Sequence, residues 1–149
     1  MRILLEEDVP DYSQWKAQCL EAKKVLDAYD VQPGNLSIKK ISDLLPINPI
    51  IAVDVGMNQC WAAQSFHLKG HKGRIHIGGG FGAMGCGLPY AIGASISMNN
   101  GIVYCISGDG GFQMNIQELE TVKRENLPIK MFILNNKVLG LSLIHISEP

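Results

Sequence analysis

A chain of 149 residues with 46% hydrophobic and 18% charged residues has the composition of one globular domain, which excludes a disordered chain and leaves little room for two full domains. Thirteen Lys and Arg against fourteen Asp and Glu give a formal charge of -1, so no electrostatic case for nucleic acid follows. Apolar runs are short and broken by Gly or polar residues, so no membrane span is expected, and the acids in MRILLEEDVPD make a poor signal peptide; the expected location is cytoplasmic.

Residues 11–30, DYSQWKAQCLEAKKVLDAYD, read as a surface helix. Asp11 and Gln14 have capping-box spacing, and Trp15, Leu20, Val25 and Leu26 give an imperfect apolar stripe. VQPGN then breaks the chain. A second helix is expected over about 38–45, capped by Ser37, with Leu36 and Ile41 as a hydrophobic staple and Pro46 and Pro49 ending it. PIIAVDVG is a strand by its β-branched content, and GMNQCWAAQSFHLKG is a turn into a short helix. RIHI is a short strand, GGGFGAMGCG a glycine loop, and LPYAIGASISMNN a small-residue helix buried over much of its surface. IVYCIS is a strand that runs directly into GDGG. Asn115 and Glu118 form a capping box for a helix over about 116–126, with Ile116, Leu119 and Val122 on one face. Leu127-Pro128 ends it, and KMFILNN is the last strand. Helices between apolar strands mean parallel crossovers, so the fold class is α/β, an open, doubly wound, mainly parallel sheet. Such sheets bind ligands beyond the carboxyl ends of their strands. Asp54-Val55-Gly56, Gly108-Asp109-Gly110 and Asn135-Asn136 all fall at those ends.

The four cysteines, Cys19, Cys60, Cys86 and Cys105, have no CxxC spacing and read as reduced, mostly buried small hydrophobes. His67 and His71 are four apart but lack a completing carboxylate. With Lys69, Lys72 and Arg74 they read as a solvated basic loop rather than a metal site.

Two motifs carry chemistry. Gly80-Phe81-Gly82-Ala83-Met84-Gly85 matches G-x-G-x-x-G between a strand and a helix, with Asp109 at the end of the next strand. That is the pattern of a dinucleotide site, and equally of a tight turn with close helix packing. Gly108-Asp109-Gly110-Gly111 ends one strand and Asn135-Asn136 the next, one helix apart. Adjacent parallel strands bring Asp109 and Asn136 to one sheet edge. A carboxylate and an amide oxygen are hard ligands suited to Mg²⁺ shared with a phosphate, and Gly110 and Gly111 let backbone N–H groups face that phosphate. Together the two halves favour a metal–diphosphate site over a pair of turns.

GDGGFQMNIQELETVKRENLPIKMFILNN resembles the GDG…NN motif of thiamine-diphosphate-dependent enzymes. With DVGMNQCWAAQSF and GGFGAMGCGLPYAIGA it resembles the C-terminal cofactor-binding domain of the acetolactate synthase large-subunit family, in detail over about residues 50–140 and more loosely over 10–50. The resemblance implies thiamine diphosphate and Mg²⁺ as cofactors, with FAD entering only in a full-length family enzyme. Asp109 and Asn136 would hold the metal by side chain and Val138 by its carbonyl. Gly108, Gly110 and Gly111 would line the diphosphate, and Val55, Gly56, Met57 and Asn58 would wrap it from the other side. Met57 stands where many relatives carry Gln, which leaves its side-chain contact open. Gly82 and Met84 of the glycine loop would also meet the cofactor, Met84 matching the bulky residue that bends it.

The implied reaction is decarboxylation of a 2-oxo acid such as pyruvate, followed by carboligation. The activating Glu belongs in the family to another domain, contributed across a homodimer or tetramer. The expected organisation is a helical linker over 1–35, a partial cofactor domain over 36–140 that is incomplete at its C-terminus, and a non-native tail over 141–149, where LSLIHISEP departs from the family pattern. Such a fragment is expected to be inactive alone, with no catalytic residue of its own; His145 and Glu148 are not recruited. Asp109→Asn is expected to weaken cofactor binding more than Gly111→Ala, which costs only steric room. The alternatives are an NAD-type dinucleotide-binding oxidoreductase domain and the binding subunit of a split thiamine-diphosphate enzyme.

Overall fold

A computed structural model describes residues 11–28 and 32–146, and the chain divides into two compact units, Met1–Val31 and Gln32–Pro149. In the first unit, helix α1 spans Ser13–Ala28. Asp11 begins it: its carboxylate accepts the Ser13 N–H at 2.9 Å and the Ser13 hydroxyl at 3.0 Å, the cap its sequence position suggests. These two bonds favour the charged form and hold the Asp11 carboxyl below its ordinary range. The expected end of this helix, near Asp30, lies outside the described residues.

In the second unit, helix α2 spans Pro33–Leu44 and starts well before the expected 38. The Pro-Gly pair, read as a breaker, opens the helix instead. Pro33 sits at the helix start, where its missing N–H costs nothing and its fixed φ fits. Gly34 is required next to it because a Cβ there would run into the Trp61 ring. Ser37 is no cap; it lies inside the helix and its hydroxyl donates back to the Pro33 carbonyl at 2.9 Å. Ile38, Ile41 and Leu45 are buried, whereas Leu36, the expected staple, is exposed.

Four strands follow: β1, Ile50–Val53; β2, Arg74–Ile77; β3, Val103–Gly108; β4, Ile129–Leu134. They form one parallel sheet in the order β2-β1-β3-β4. Helix α3 (Met57–Ser65) joins β1 to β2, and α4 (Gly87–Ser97) joins β2 to β3. The link from β3 to β4 departs from the expected single helix over 116–126. Helix α5 starts directly at Asp109 and runs to Met114; a 3₁₀ turn (Ile116–Glu118) and the short α6 (Leu119–Arg124) follow. Asn115 does not cap, because its side-chain amide donates to the Gly85 carbonyl at 2.8 Å. Helix α7 covers Gly140–Ile146.

The period-2 alternation of the central strands sorts the core into two faces. Ile51, Val53 and Ile106 pack with Ile38, Ile41 and Leu45 of the α2 segment and Ala62 of α3. Ala52, Val103 and Cys105 face the other way, onto Ala91 of α4. Leu88 and Ile92 of α4 close on Leu127 below α6. Helix α4 buries this one face only; Tyr90, Gly93, Ile96 and Ser97 are exposed, less covered than its small residues suggest. Among the described residues no helix is long and apolar enough to cross a membrane.

The strand order decides where a site can form. From β1 the chain moves to β2 on one side; from β3 it moves to β4 on the other. The crossovers diverge between the two central strands, leaving a crevice beyond their carboxyl ends, which is where open α/β sheets hold ligands.

Candidate functional site

Asp54 and Asp109 mark that crevice. Asp54 follows β1 directly and Asp109 follows β3, and the register sets Val53 beside Ile106 and Gly108 beside Leu134. The residues after β3 and β4 therefore leave the sheet side by side. A cavity of about 70 Å³ opens there. Val55, Gly56, Met57 and Asn58 line it from the loop after β1, Met84 from the glycine loop, Gly108 to Gly111 from the β3–α5 turn, and Asn136, Val138 and Leu139 from the loop after β4. The structure thus brings together every residue expected at the site except Gly82, which stands outside the lining.

Each wall has a local cause. Gly108 precedes α5 and has no side chain to cap it, so the first N–H groups of that helix are left to the cavity. The loop after β4 is pinned by its two asparagines. Asn135 Oδ1 accepts the Lys137 N–H at 3.1 Å and Asn136 Oδ1 accepts the Val138 N–H at 3.2 Å. Lys137 adopts φ 59°, a left-handed conformation unfavourable for a side chain, which those bonds hold in place. Leu139 lies so close to Gly110 that a Cβ there would come within 2.6 Å of it.

The residue that sequence reading underrated is Asp54. It is 1% exposed, and its oxygens are fully engaged. Oδ1 accepts the Val55 N–H and the Gly85 N–H, each at 2.8 Å, and Oδ2 accepts the Ser107 hydroxyl at 2.7 Å. Its backbone carbonyl accepts the Asn58 amide at 2.7 Å. A Cβ on Gly111 would run into Asp54 Oδ2, so the steric room that Gly111→Ala is expected to cost is taken up by a buried carboxylate. An acid inside the apolar run PIIAVDVG was the available signal; its partners were not visible.

The cysteines also depart from expectation. Cys105 is buried and Cys86 partly so, but Cys19 and Cys60 are exposed; all four are free thiols. Burial, then the Asp54 charge, then Cys86 push the Cys105 thiol from 9.0 up to about 12. Burial and the Asp54 carboxylate raise Cys86 as well. Neither is poised as a nucleophile. His67, His71 and His76 are exposed, and among the described residues no three His, Cys, Asp or Glu side chains cluster as metal ligands. A metal at the cavity would need amide, carbonyl and ligand oxygens to complete its shell.

Residues 54–145 match the family described as thiamine pyrophosphate enzyme, C-terminal TPP binding domain. The chain belongs to that family. It is 39% identical over 143 residues to the acetolactate synthase isozyme 2 large subunit of Escherichia coli (strain K12), a match covering 92% of this chain and 26% of that protein. It is 42% identical over 137 residues to acetolactate synthase 1, chloroplastic, of Nicotiana tabacum, covering 88% of this chain and 20% of that one. It is 50% identical over 90 residues to the acetolactate synthase large subunit of Cyanidium caldarium, covering 60% of this chain and 15% of that one. The chain therefore spans about a quarter or less of the length of these curated relatives.

Membership explains the failure of the dinucleotide reading. A ribose-binding acid must end the strand next to the one that feeds the glycine loop. Here β2 feeds the loop, Asp109 ends β3, and β1 lies between them. Asp109 instead stands with Asn136, beyond the ends of adjacent strands, and both line the same cavity.

Proposed function

We propose that this chain supplies the diphosphate- and Mg²⁺-binding half-site of an acetolactate-synthase-like enzyme, which decarboxylates a 2-oxo acid such as pyruvate and joins the product to a second 2-oxo acid. The observation that carries this reading is the cavity at the sheet's switch point, onto which the loops after β1, β3 and β4 converge. Its donors fit the group. Asp109, Asn136 and the Val138 carbonyl are all oxygen ligands, and Mg²⁺ takes oxygens, commonly with one or two protein carboxylates and phosphate oxygens completing the shell. The wall from Gly108 to Gly111 carries only Asp109 as a side chain beyond glycine, so backbone N–H groups can approach a diphosphate.

Thiamine diphosphate, when bound, supplies the electron sink that decarboxylation and carboligation need. The chain's own part is binding and orientation. Asp109 and Asn136 hold the metal on the diphosphate, and Gly110 and Gly111 donate to its oxygens. Val55, Gly56, Met57 and Asn58 cover the opposite side and exclude water there, and Met84 supports the body of the cofactor. The activating Glu comes from another domain or chain of a cytoplasmic homodimer or tetramer, so the isolated chain binds but does not turn over.

Titration of the purified chain with thiamine diphosphate, followed by Trp61 fluorescence because that ring lines the cavity, tests the reading. Saturable binding that needs Mg²⁺ and is absent for NAD is expected. Binding of NAD, or thiamine diphosphate binding undiminished by a chelator, would overturn it.

A further inference from the structure

We propose that Asp54 is the positioning residue of this site: its buried carboxylate fixes three of the four segments that face the cofactor, the loop after β1, the glycine loop and the end of β3, in the correct relative placement. The inference rests on the reading of the cavity as a thiamine diphosphate site. Asp54 touches nothing in the cavity itself. It lies one layer beneath, just after β1, and reaches three of the four walls separately, all but the loop after β4. Through Oδ1 it holds the Val55 N–H of the loop after β1 and the Gly85 N–H of the glycine loop that carries Met84. Through Oδ2 it holds Ser107, at the end of β3, whose next residues are Gly108 and Asp109. Its carbonyl fixes Asn58.

Glycines surround it where chains must come close. A Cβ on Gly87 would stand 2.7 Å from Asp54 Cβ, and one on Gly111 would collide with Oδ2. The glycine loop is therefore shaped in part by the carboxylate beneath it. Gly79, Gly80 and Gly82, by contrast, have nothing within 4 Å of an added Cβ. Four donors converge on two oxygens, the Val55 and Gly85 N–H groups, the Ser107 hydroxyl and, at 3.7 Å, the Cys86 thiol, and only a carboxylate receives all of them without presenting a donor of its own. A neutral amide offers one oxygen to the two N–H groups and must turn its NH₂ toward Ser107. That hydroxyl can reverse, because it already lies 3.1 Å from the Gly108 carbonyl.

The test compares Asp54→Asn and Asp54→Ala with the unaltered chain, using thiamine diphosphate with Mg²⁺, thermal unfolding, and amide exchange at Val55 and Gly85. Asp54→Asn should fold with a lowered midpoint and, in the folded fraction, bind about tenfold more weakly, because charge-assisted bonds become neutral ones. Asp54→Ala should lose about 100-fold, since two buried N–H groups lose their acceptor. Both amides should exchange faster, most in the alanine variant. If Asp54→Ala does not fold, Asp54→Asn carries the test. Wild-type affinity in the folded fraction of either variant overturns the proposal, because a purely structural residue would lower the midpoint and leave affinity alone. Should the unaltered chain bind no thiamine diphosphate, the cavity reading fails; exchange needs no ligand and still reports the tie, and unchanged protection of both amides overturns it.

Discussion

Gly111→Ala adds one methyl group at the most confined glycine of the site. The new Cβ would run into Asp54 Oδ2 and would stand 3.0 Å from Asp54 Cγ and 3.4 Å from Ser107 Oγ. The carboxylate cannot swing aside without releasing the Val55, Gly85 and Ser107 donors. Overpacking of this kind costs about 1–3 kcal/mol. A weakened hydrogen bond to a charged acceptor adds about 1.5–3 kcal/mol, and the better helix propensity of Ala in α5 returns about 1 kcal/mol. The expected net is a loss of roughly 3 kcal/mol, with cofactor affinity falling alongside. Gly93→Ala is the matched control. Gly93 lies inside α4 with nothing within 4 Å of an added Cβ, so the same change there should stabilise by about 0.5–1 kcal/mol. Urea unfolding followed by circular dichroism reads both. A Gly111→Ala midpoint at or above the unaltered chain, or shifted in the same direction as Gly93→Ala, refutes the packing argument.

Asp109→Asn should raise the Mg²⁺ concentration needed for thiamine diphosphate binding while leaving the unfolding midpoint nearly unchanged, since Asp109 is only half-buried at the cavity wall; metal titration of the variant checks this. A neutral maleimide should label Cys19 and Cys60 rapidly at pH 8, Cys86 slowly and Cys105 only on unfolding, as read by mass spectrometry of timed digests. Folding holds the Cys105 proton more tightly, so its stabilisation is intact below pH 9 and is lost as pH rises from 9.0 to about 12, by about 4 kcal/mol in full. Replacing it in Cys105→Ala should flatten that alkaline limb of a denaturation series, and an unchanged slope would refute the assignment.

The strands were legible because each is an apolar, β-branched run whose neighbours are turn residues, and the GDG…NN spacing survives into adjacent, registered strand ends. What was not legible depended on distant partners. Pro33-Gly34 reads locally as a break, yet Gly34 packs on Trp61 and the helix runs through it. Asn115 and Glu118 read as a capping box, but the Asn115 amide is taken by Gly85, thirty residues away in sequence. Asp54 looked like one polar residue in a strand. Its partners Gly85 and Ser107 lie 31 and 53 residues on, and only the sheet order brings them together. Local chemistry fixed the elements, and tertiary contacts then reassigned the polar side chains at their ends.

The same division explains the glycines. In the segment read as G-x-G-x-x-G, Gly80 and Gly82 face open space, so their lack of a side chain is not demanded by packing within this chain. Gly82 and Gly85 both take a positive φ, 63° and 87°, but of the three only Gly85 is also confined: a Cβ there would stand 2.8 Å from the Asn115 amide and 2.9 Å from Met114. Gly85 is also the residue whose N–H reaches Asp54 and whose carbonyl receives Asn115. One residue thus joins the loop after β2 to the end of β1 on one side and to the end of α5 on the other. The loop's position at the cavity follows from that double tie and not from its glycine count, which is why the spacing alone pointed to a dinucleotide while the strand-end residues pointed to thiamine diphosphate.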